Sequence, residues 1–515
     1  ASGGTVDYLS GGELLCSELS NNLSGSSWIG KKGSLLTADN GDVIGFIPDS
    51  NSYTDISLKE AKAGGVTAAT GVYYKVSSAT QLYINGELVK YSSSWTLLNG
   101  SSSLRLYYDE TGAISLIYIH GNSYDDYAAA AETKTVLQEL TRKLGIKSAE
   151  YTIIKNGYKA ESEDLAQYDV GQYDAVTDTL LVTDKKVSGY IEDLVYSAGE
   201  LSAIGLLGNT FKVLPCALDT LEGFTEGDRV TLLLTEDNRV AAAYSLQTVT
   251  ASMKGILTLN GTQASIKLIN GLTITGTPDS SSLSALDGTL VGVSAISTGK
   301  LSITALSSDV EELINLTSRK LGSAKLASNI KVYDWAGSGA AVEIKLDDIS
   351  WTQYISANKI SYAGYNSAGQ VEVLLLKDLT GDAYEYGIAA VTNNTSTGTS
   401  SVRIVNGNGS SKSGTTAFSI TSGSYIGIAL KGNGALAAYK ELTQVKGIAI
   451  SSFIGQNYVR VGDYELPISA KVQVYNKSSK LWMSLEEALA RYQSFTVYYD
   501  KSPENGGKVR IITTD

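Results

Sequence analysis

Short runs of alternating apolar and polar residues, broken by Asp, Asn and Gly, dominate the chain. In residues 104–119, LRLYYDETGAISLIYI, two β-type runs flank an acidic turn that ends at Gly112. The plan returns at 231–243 around Glu236-Asp237-Asn238, at 35–47 around Asp39-Asn40-Gly41-Asp42, and at 426–439 around Gly432-Asn433-Gly434. Such turns between alternating runs predict β-hairpins, because Asn, Asp and Gly reach the backbone angles that tight turns demand. A second recurrence places Gly ahead of a short strand, at Gly189-Tyr190-Ile191, Gly255-Ile256-Leu257, Gly387-Ile388-Ala389 and Gly447-Ile448-Ala449. The steps of 66 residues from Gly189 and 60 from Gly387 suit a small barrel-like unit.

Helical spacing is rare. Val136, Leu137, Leu140 and Leu144 share one face of a helix predicted over 128–144, with Gly145 as its stop. The same form predicts a helix over 310–321, and a short one over 484–491 opens on Ser484 as N-cap with Glu487 at the reciprocal position. VLQELTRKLG at 136–145 matches VEELINLTSRKLG at 310–322, and AAAYSLQTVTASMKGI at 241–256 matches ALAAYKELTQVKGI at 435–448. The blocks keep their order, so the reading is an N-terminal β segment, 1–122, followed by two copies of a helix-plus-β module, 123–307 and 308–515. The expected fold is mainly β, with tandem small β-barrel or β-sandwich units, a few short helices and the duplicated larger module.

Length and composition agree. At 515 residues the chain exceeds what one hydrophobic core organises. It holds 32 Tyr against 6 Phe, with 52 Gly and 5 Pro. Tyr, Thr and Val suit pleated surfaces, and the scarcity of Pro argues against stiff linkers, so domains should follow one another closely. The net charge of −12 repels phosphate backbones, so no nucleic-acid partner is expected. No run approaches the ~20 apolar residues of a membrane-spanning helix. The start at Ala1 is one that signal-peptide cleavage would leave, which is compatible with export. Cys16 and Cys216 read as buried small hydrophobes, with a long-range disulfide as the alternative.

Catalytic chemistry is poorly provided for. His120 is the sole histidine, so a His-based zinc site, a Ser-His-Asp triad or a Cys-His pair has at most one imidazole to draw on. No GxSxG elbow or P-loop occurs, and Gly407-Asn408-Gly409-Ser410 reads as a loop. Asp347-Asp348 beside Trp351 is the best carboxylate pair, but a surface turn before a core Trp explains it more simply. The chain is therefore read as a non-enzyme with no catalytic and no cofactor-binding residues. Metal binding stays open, structural calcium at an acidic turn being the form considered. Trp28, Trp95, Trp335, Trp351 and Trp482, with the many Tyr, offer stacking surfaces for sugars, so an adhesin or glycan-binding protein is the alternative function.

Residues 151–159 (YTIIKNGYK), 164–170 (DLAQYDV) and 173–175 (YDA) resemble a segment of large S-layer-homology (SLH) domain-containing cell-surface proteins of gut Firmicutes. Residues 224–240 (FTEGDRVTLLLTEDNRV) are similar to another part of the β-repeat region of those proteins, whereas the SLH wall-anchoring repeats are not found. The resemblance implies an exported protein of the cell envelope. The expectation is a structural subunit of a bacterial cell-surface assembly (an S-layer-like lattice, filament or tube) built by self-association. It would be extracellular, at the cell wall, with copies of itself and cell-wall polysaccharide as partners. The terminal segments 5–9 and 508–513, each without an obvious local hairpin partner, are expected to join subunits by strand addition.

Overall fold

The structure, a computed structural model, describes residues 5–10, 13–18, 33–37, 43–48, 53–84, 87–98, 103–108, 112–119, 128–146, 151–174, 179–197, 199–394, 399–409, 413–416 and 418–514. Strands dominate and helices are short, so the chain is mainly β and built of tandem small units. All four hairpins read from the sequence are formed. Gly33–Thr37 pairs with Val43–Pro48, Ser103–Tyr108 with Ile114–Ile119, Arg229–Leu234 with Val240–Ser245, and Tyr425–Leu430 with Leu436–Glu441. Asn238 holds φ 66° in the third turn, a left-handed angle that Asn tolerates better than most residues. Helix Leu485–Arg491 also forms, and Ser484 Oγ accepts a hydrogen bond from the Glu487 backbone N–H.

Two arrangements recur, visible in strand pairing more than in sequence. The first, a hairpin module, begins with a strand and a short antiparallel partner. A helical turn and an antiparallel hairpin follow, and the second hairpin strand lies parallel to the opening strand. Its copies run from Tyr73–Ile84 to Ile114–Ile119, from Thr152–Lys155 to Thr179–Thr183, from Ala324–Trp335 to Val371–Lys377, and from Tyr464–Asn476 to Val509–Thr514. Three copies share an irregularity in which five residues of the opening strand are met by two of the last. It lies between Val76 and Gln81, between Leu326 and Lys331, and between Ile468 and Gln473.

The second arrangement is a five-stranded barrel in the order 3-2-1-4-5, with strand 3 running parallel to strand 5. Among the described residues, Lys186–Ser197, Met253–Asn260 and Glu385–Asn394 open its three copies. The closing parallel contact pairs Thr277 with Lys300 in the second barrel, and is a single bridge, Val213 to Val240 or Thr415 to Ala435, in the others. Helical turns at Pro215–Ala217 and Ser284–Leu286 connect strands 3 and 4 in the first two. This Greek-key barrel has the plan of an OB-fold. Gly189, Gly255 and Gly387 all lie in strand 1, which accounts for three of the four Gly recurrences; Gly447 lies in the edge strand Thr443–Ala449.

The chain divides into two compact units, 1–206 with 210–251, and 207–209 with 252–515. The expected boundary at 122 lies outside the described residues, and that at 307 falls in the connection from the second barrel to the third hairpin module. In the second unit, the last strands of hairpin modules are buried on both faces. Leu374 and Leu376 point into the module's own core, while Val373 and Leu375 pack with Tyr333 against Leu290 of the second barrel. Likewise Ile512 enters its module's core and Ile511 joins Tyr386 and Tyr498. Exposing Leu290, Val373 and Leu375 would cost roughly 4.5–9 kcal/mol at ~1.5–3 kcal/mol each. That rivals the stability of a small domain, so this barrel and module stay joined.

Several expectations are corrected. Residues 310–321 are not helical: Ile314–Asn315 and Lys320–Leu321 form a tight hairpin, and Ile314 pairs with both Leu321 and Ile355. Pairing with a distant strand overrides the helical spacing. The earlier helix is only Val136–Lys143, because Ala129–Ala130 is taken up as a strand against Val170 and Gly171. Both terminal segments have partners. Thr5–Ser10 pairs with Glu13–Glu18, and Val509–Thr514 is an interior strand between Ser494–Tyr499 and Tyr464–Asn476. Cys16 is exposed, Cys216 is half-buried, and no disulfide joins them. His120 and Trp28 lie outside the described residues.

Candidate functional site

A dense polar cluster lies in the second compact unit, where the connection from the third hairpin module to the third barrel, 378–384, meets the last hairpin module. Arg510 lies on the interior strand Val509–Thr514 and its side chain is 2% exposed. Its Nε donates to Asp500 Oδ2 at 2.9 Å, and Nη2 lies 2.8 Å from the same oxygen. Nη1 donates to Asp382 Oδ1 and to Ser469 Oγ, and Nη2 to the Thr380 carbonyl. The guanidinium fork is thereby saturated, as a buried arginine requires. Its face covers the ring of Tyr386, whose hydroxyl donates to the Gly381 carbonyl at 2.8 Å. Gly381, at φ 73°, is the residue this approach needs, since a Cβ there would overlap Asp500 Oδ2.

Asp334, fully buried at the end of the strand Ala324–Trp335, anchors the same connection. It accepts from the Leu379 N–H at 3.0 Å, and from the Thr380 N–H and hydroxyl at 2.7 Å each. Burial pushes its carboxyl up from the ordinary range, against these bonds, which pull it down. Beside it Asp378 sits at φ 47°, and Lys440 donates to its Oδ2 at 2.7 Å. Lys501 donates to the Asp378 and Leu379 carbonyls at 2.7 and 2.8 Å. Burial pushes this lysine down, while Asp378 and Asp500 pull it back. Lys508 completes the set at 3.1 Å from Asp382. Four carboxylates, Asp334, Asp378, Asp382 and Asp500, thus face four cations, Lys440, Lys501, Lys508 and Arg510.

Tyrosines line the same junction. Tyr425 of the third barrel stacks on Tyr498 of the last module with centroids 4.5 Å apart, and Tyr384 lies 6.0 Å from Tyr386. Half-apolar rings with a polar tip suit such contacts, so part of the Tyr excess serves contacts between modules of one chain. Against the cluster opens a cleft of about 500 Å³, lined by Trp351, Tyr354, Lys359, Asp378, Lys440, Lys501 and Asn505 among others.

The residues singled out from the sequence fall mostly elsewhere. Asp347 and Asp348 are exposed and outside the cleft lining; Asp348 accepts from the Lys345 N–H in a local turn. Trp351 is half-buried and does line the cleft. Trp95 packs on the core of the first hairpin module, Trp335 on the core shared by the second barrel and third hairpin module, and Trp482 stacks with Tyr475 at 4.8 Å. The acidic turn at 236–238 is neutralised locally, Asp237 by Arg239 and Glu236 by Lys185. Among the described residues no group of three or more His, Cys, Asp or Glu is placed to hold a metal ion. Arg510, Asp500 and Asp334 carry no sequence signal, because each looks like an ordinary charge on or beside a β segment.

No family model matches the chain, and none of the curated proteins matches it.

Proposed function

We propose that the chain is a structural subunit of a bacterial cell-surface assembly, a lattice, filament or tube built by self-association outside the cell. The observation that carries this reading is the ionic junction of the second unit. Its charges pair with one another and tie the connection 378–384 to the last hairpin module. A subunit that transmits a fixed geometry through a polymer needs modules that do not swing. The resemblance of residues 151–175 and 224–240 to the β-repeat region of SLH surface proteins supports the location. Subunits of an open polymer join head to tail. The ladder of Thr5–Ser10 and Glu13–Glu18 forms a two-stranded sheet, which supports strand addition by a second copy. A two-stranded ladder is marginal alone and gains from a third strand.

Negative-stain microscopy and sedimentation of the full chain, beside one lacking residues 1–18, test this. The full chain should form fibres or sheets, and the shortened one should remain a folded monomer. A full chain that stays monodisperse at every concentration overturns the structural reading, whereas polymers from both chains overturn only the strand-addition step.

A further inference from the structure

We infer that the cleft beside the ionic junction is a binding site for a neutral saccharide, recognised through one or two pyranose units. The volume of about 500 Å³ lies within the range of small-molecule sites. Its lining combines the two kinds of group that sugars need. Trp351 and Tyr354 supply aromatic surface for the C–H face of a pyranose. Tyr354 is 53% exposed although it sits on a strand paired with Ile314–Asn315, so its ring is held out by the backbone. Trp351 is braced from behind. It packs on the core of the third hairpin module, and Gly506, at φ 73°, passes so close that a Cβ would overlap the indole.

The polar groups are of both signs and already fixed. Asp378 is locked by Lys440 and Lys501, and Asn505 Nδ2 donates to Ser502 Oγ at 2.8 Å. Hydroxyl groups donate and accept at once, so they match a site offering carboxylate, amide and ammonium together. A phosphate or carboxylate ligand would need a surplus of unspent positive charge, yet Lys440 and Lys501 are committed to Asp378 and to main-chain carbonyls, and the remaining charged groups of the lining, Lys359 and Glu504, are one of each sign. Groups held before the ligand arrives lose little entropy on binding. This site is independent of polymer formation: sugar binding can fail while assembly succeeds, and the reverse.

Saturation-transfer NMR on the full chain, with maltose, cellobiose, lactose and diacetylchitobiose as probes, tests the proposal. At least one disaccharide should receive saturation. Tyr354→Ala and Asn505→Ala should each weaken its binding about tenfold, equivalent to ~1.4 kcal/mol. Both residues lie at the surface, so these variants should retain the wild-type fold, and Trp351→Phe should keep the core packing while reducing the transfer. Absence of transfer from all four sugars, or binding unchanged in the Tyr354 and Asn505 variants, would overturn the assignment. Binding of inorganic phosphate instead, abolished by Lys359→Ala, would likewise replace the saccharide with an anion.

Discussion

The second and third hairpin modules carry opposite charges at or next to the ends of their opening strands. Lys155 stands opposite Val182 in parallel register, and Asp334 stands opposite Leu376 at the corresponding place. Lys155 is 8% exposed and donates to Asp169 Oδ2 at 2.7 Å and to the Asp164 carbonyl at 2.9 Å. Asp334 receives the N–H groups of Leu379 and Thr380. In the fourth module the position is Asn476, opposite Thr514, which accepts from the Ser479 N–H and donates to the Tyr492 hydroxyl. The place demands a buried polar group because a loop turns over the strand end and presents main-chain atoms there. It does not dictate which group. Where the loop shows carbonyls and a carboxylate an ammonium fits, and where it shows N–H donors a carboxylate fits.

Removing the cation from the second module should have the largest effect. Lys155→Met leaves Asp169, fully buried, without its ammonium partner, and should cost about 3–5 kcal/mol. Hydrogen exchange at the amides of Thr152–Lys155 and Thr179–Thr183 would report it. The double change Lys155→Met with Asp169→Leu should restore most of the protection, since an apolar pair replaces an ion pair at little cost. Protection unaltered in the single variant would mean that the charge is incidental. The neutral version of the position should be less costly: Asn476→Ala should lose about 1–3 kcal/mol, read as faster exchange at Val509–Thr514. A loss as large as that of Lys155→Met would contradict the distinction between charged and neutral occupants.

The smallest effect separates two buried carboxylates, Asp169 of the second module and Glu139 of the helix Val136–Lys143 that precedes it. Burial pushes Asp169 up, against the pull of Lys155 and Lys186. Burial pushes Glu139 up too, but the Thr133 hydroxyl and N–H and the Lys143 ammonium overcome it and hold it at about 2. The unfolded chain takes up the Glu139 proton near 4.5, before the folded chain does, so stability falls as the pH drops from 4.5 towards 2. Asp169 acts the other way: the folded form takes its proton first, and acidification eases its burial. Glu139→Gln should therefore flatten part of the acid loss in a pH series of thermal unfolding. An unchanged slope would show that Glu139 does not carry it.

That exchange of charge also explains what the sequence concealed. The four hairpins were legible because their turns are local and Asn238 or Gly434 must take particular angles. The hairpin module was not, because its signature is a parallel pairing between strands separated by a whole supersecondary unit. The buried polar position at the end of its opening strand changes from Lys to Asp to Asn. The Arg-Lys-Leu-Gly phrase misled for the same reason. At 142–145 it closes a helix, whereas at 319–322 Arg319 takes φ 50° inside a strand hairpin completed by Ile355. The ionic junction draws on residues from 334 to 510, so its only local trace was Asp378 and Asp382 around Gly381, an ordinary turn pattern. Trp351 stands out in the sequence beside Asp347 and Asp348, but its neighbours in the cleft are beyond the reach of spacing.

The parallel pairing of first and last strands has a mechanical consequence. Tension drawn along the chain enters each hairpin module at the start of its opening strand and leaves at the end of its closing strand. Those two strands lie side by side and point the same way, so the pull slides one along the other. The bonds of the ladder are then loaded together, in shear, and do not open one after another from an end. In the five-stranded barrels the first and last strands are separated by strand 4, so the entering and leaving strands share no ladder. Force is thus met differently by the two kinds of repeat, and the hairpin modules are the clasps of the chain.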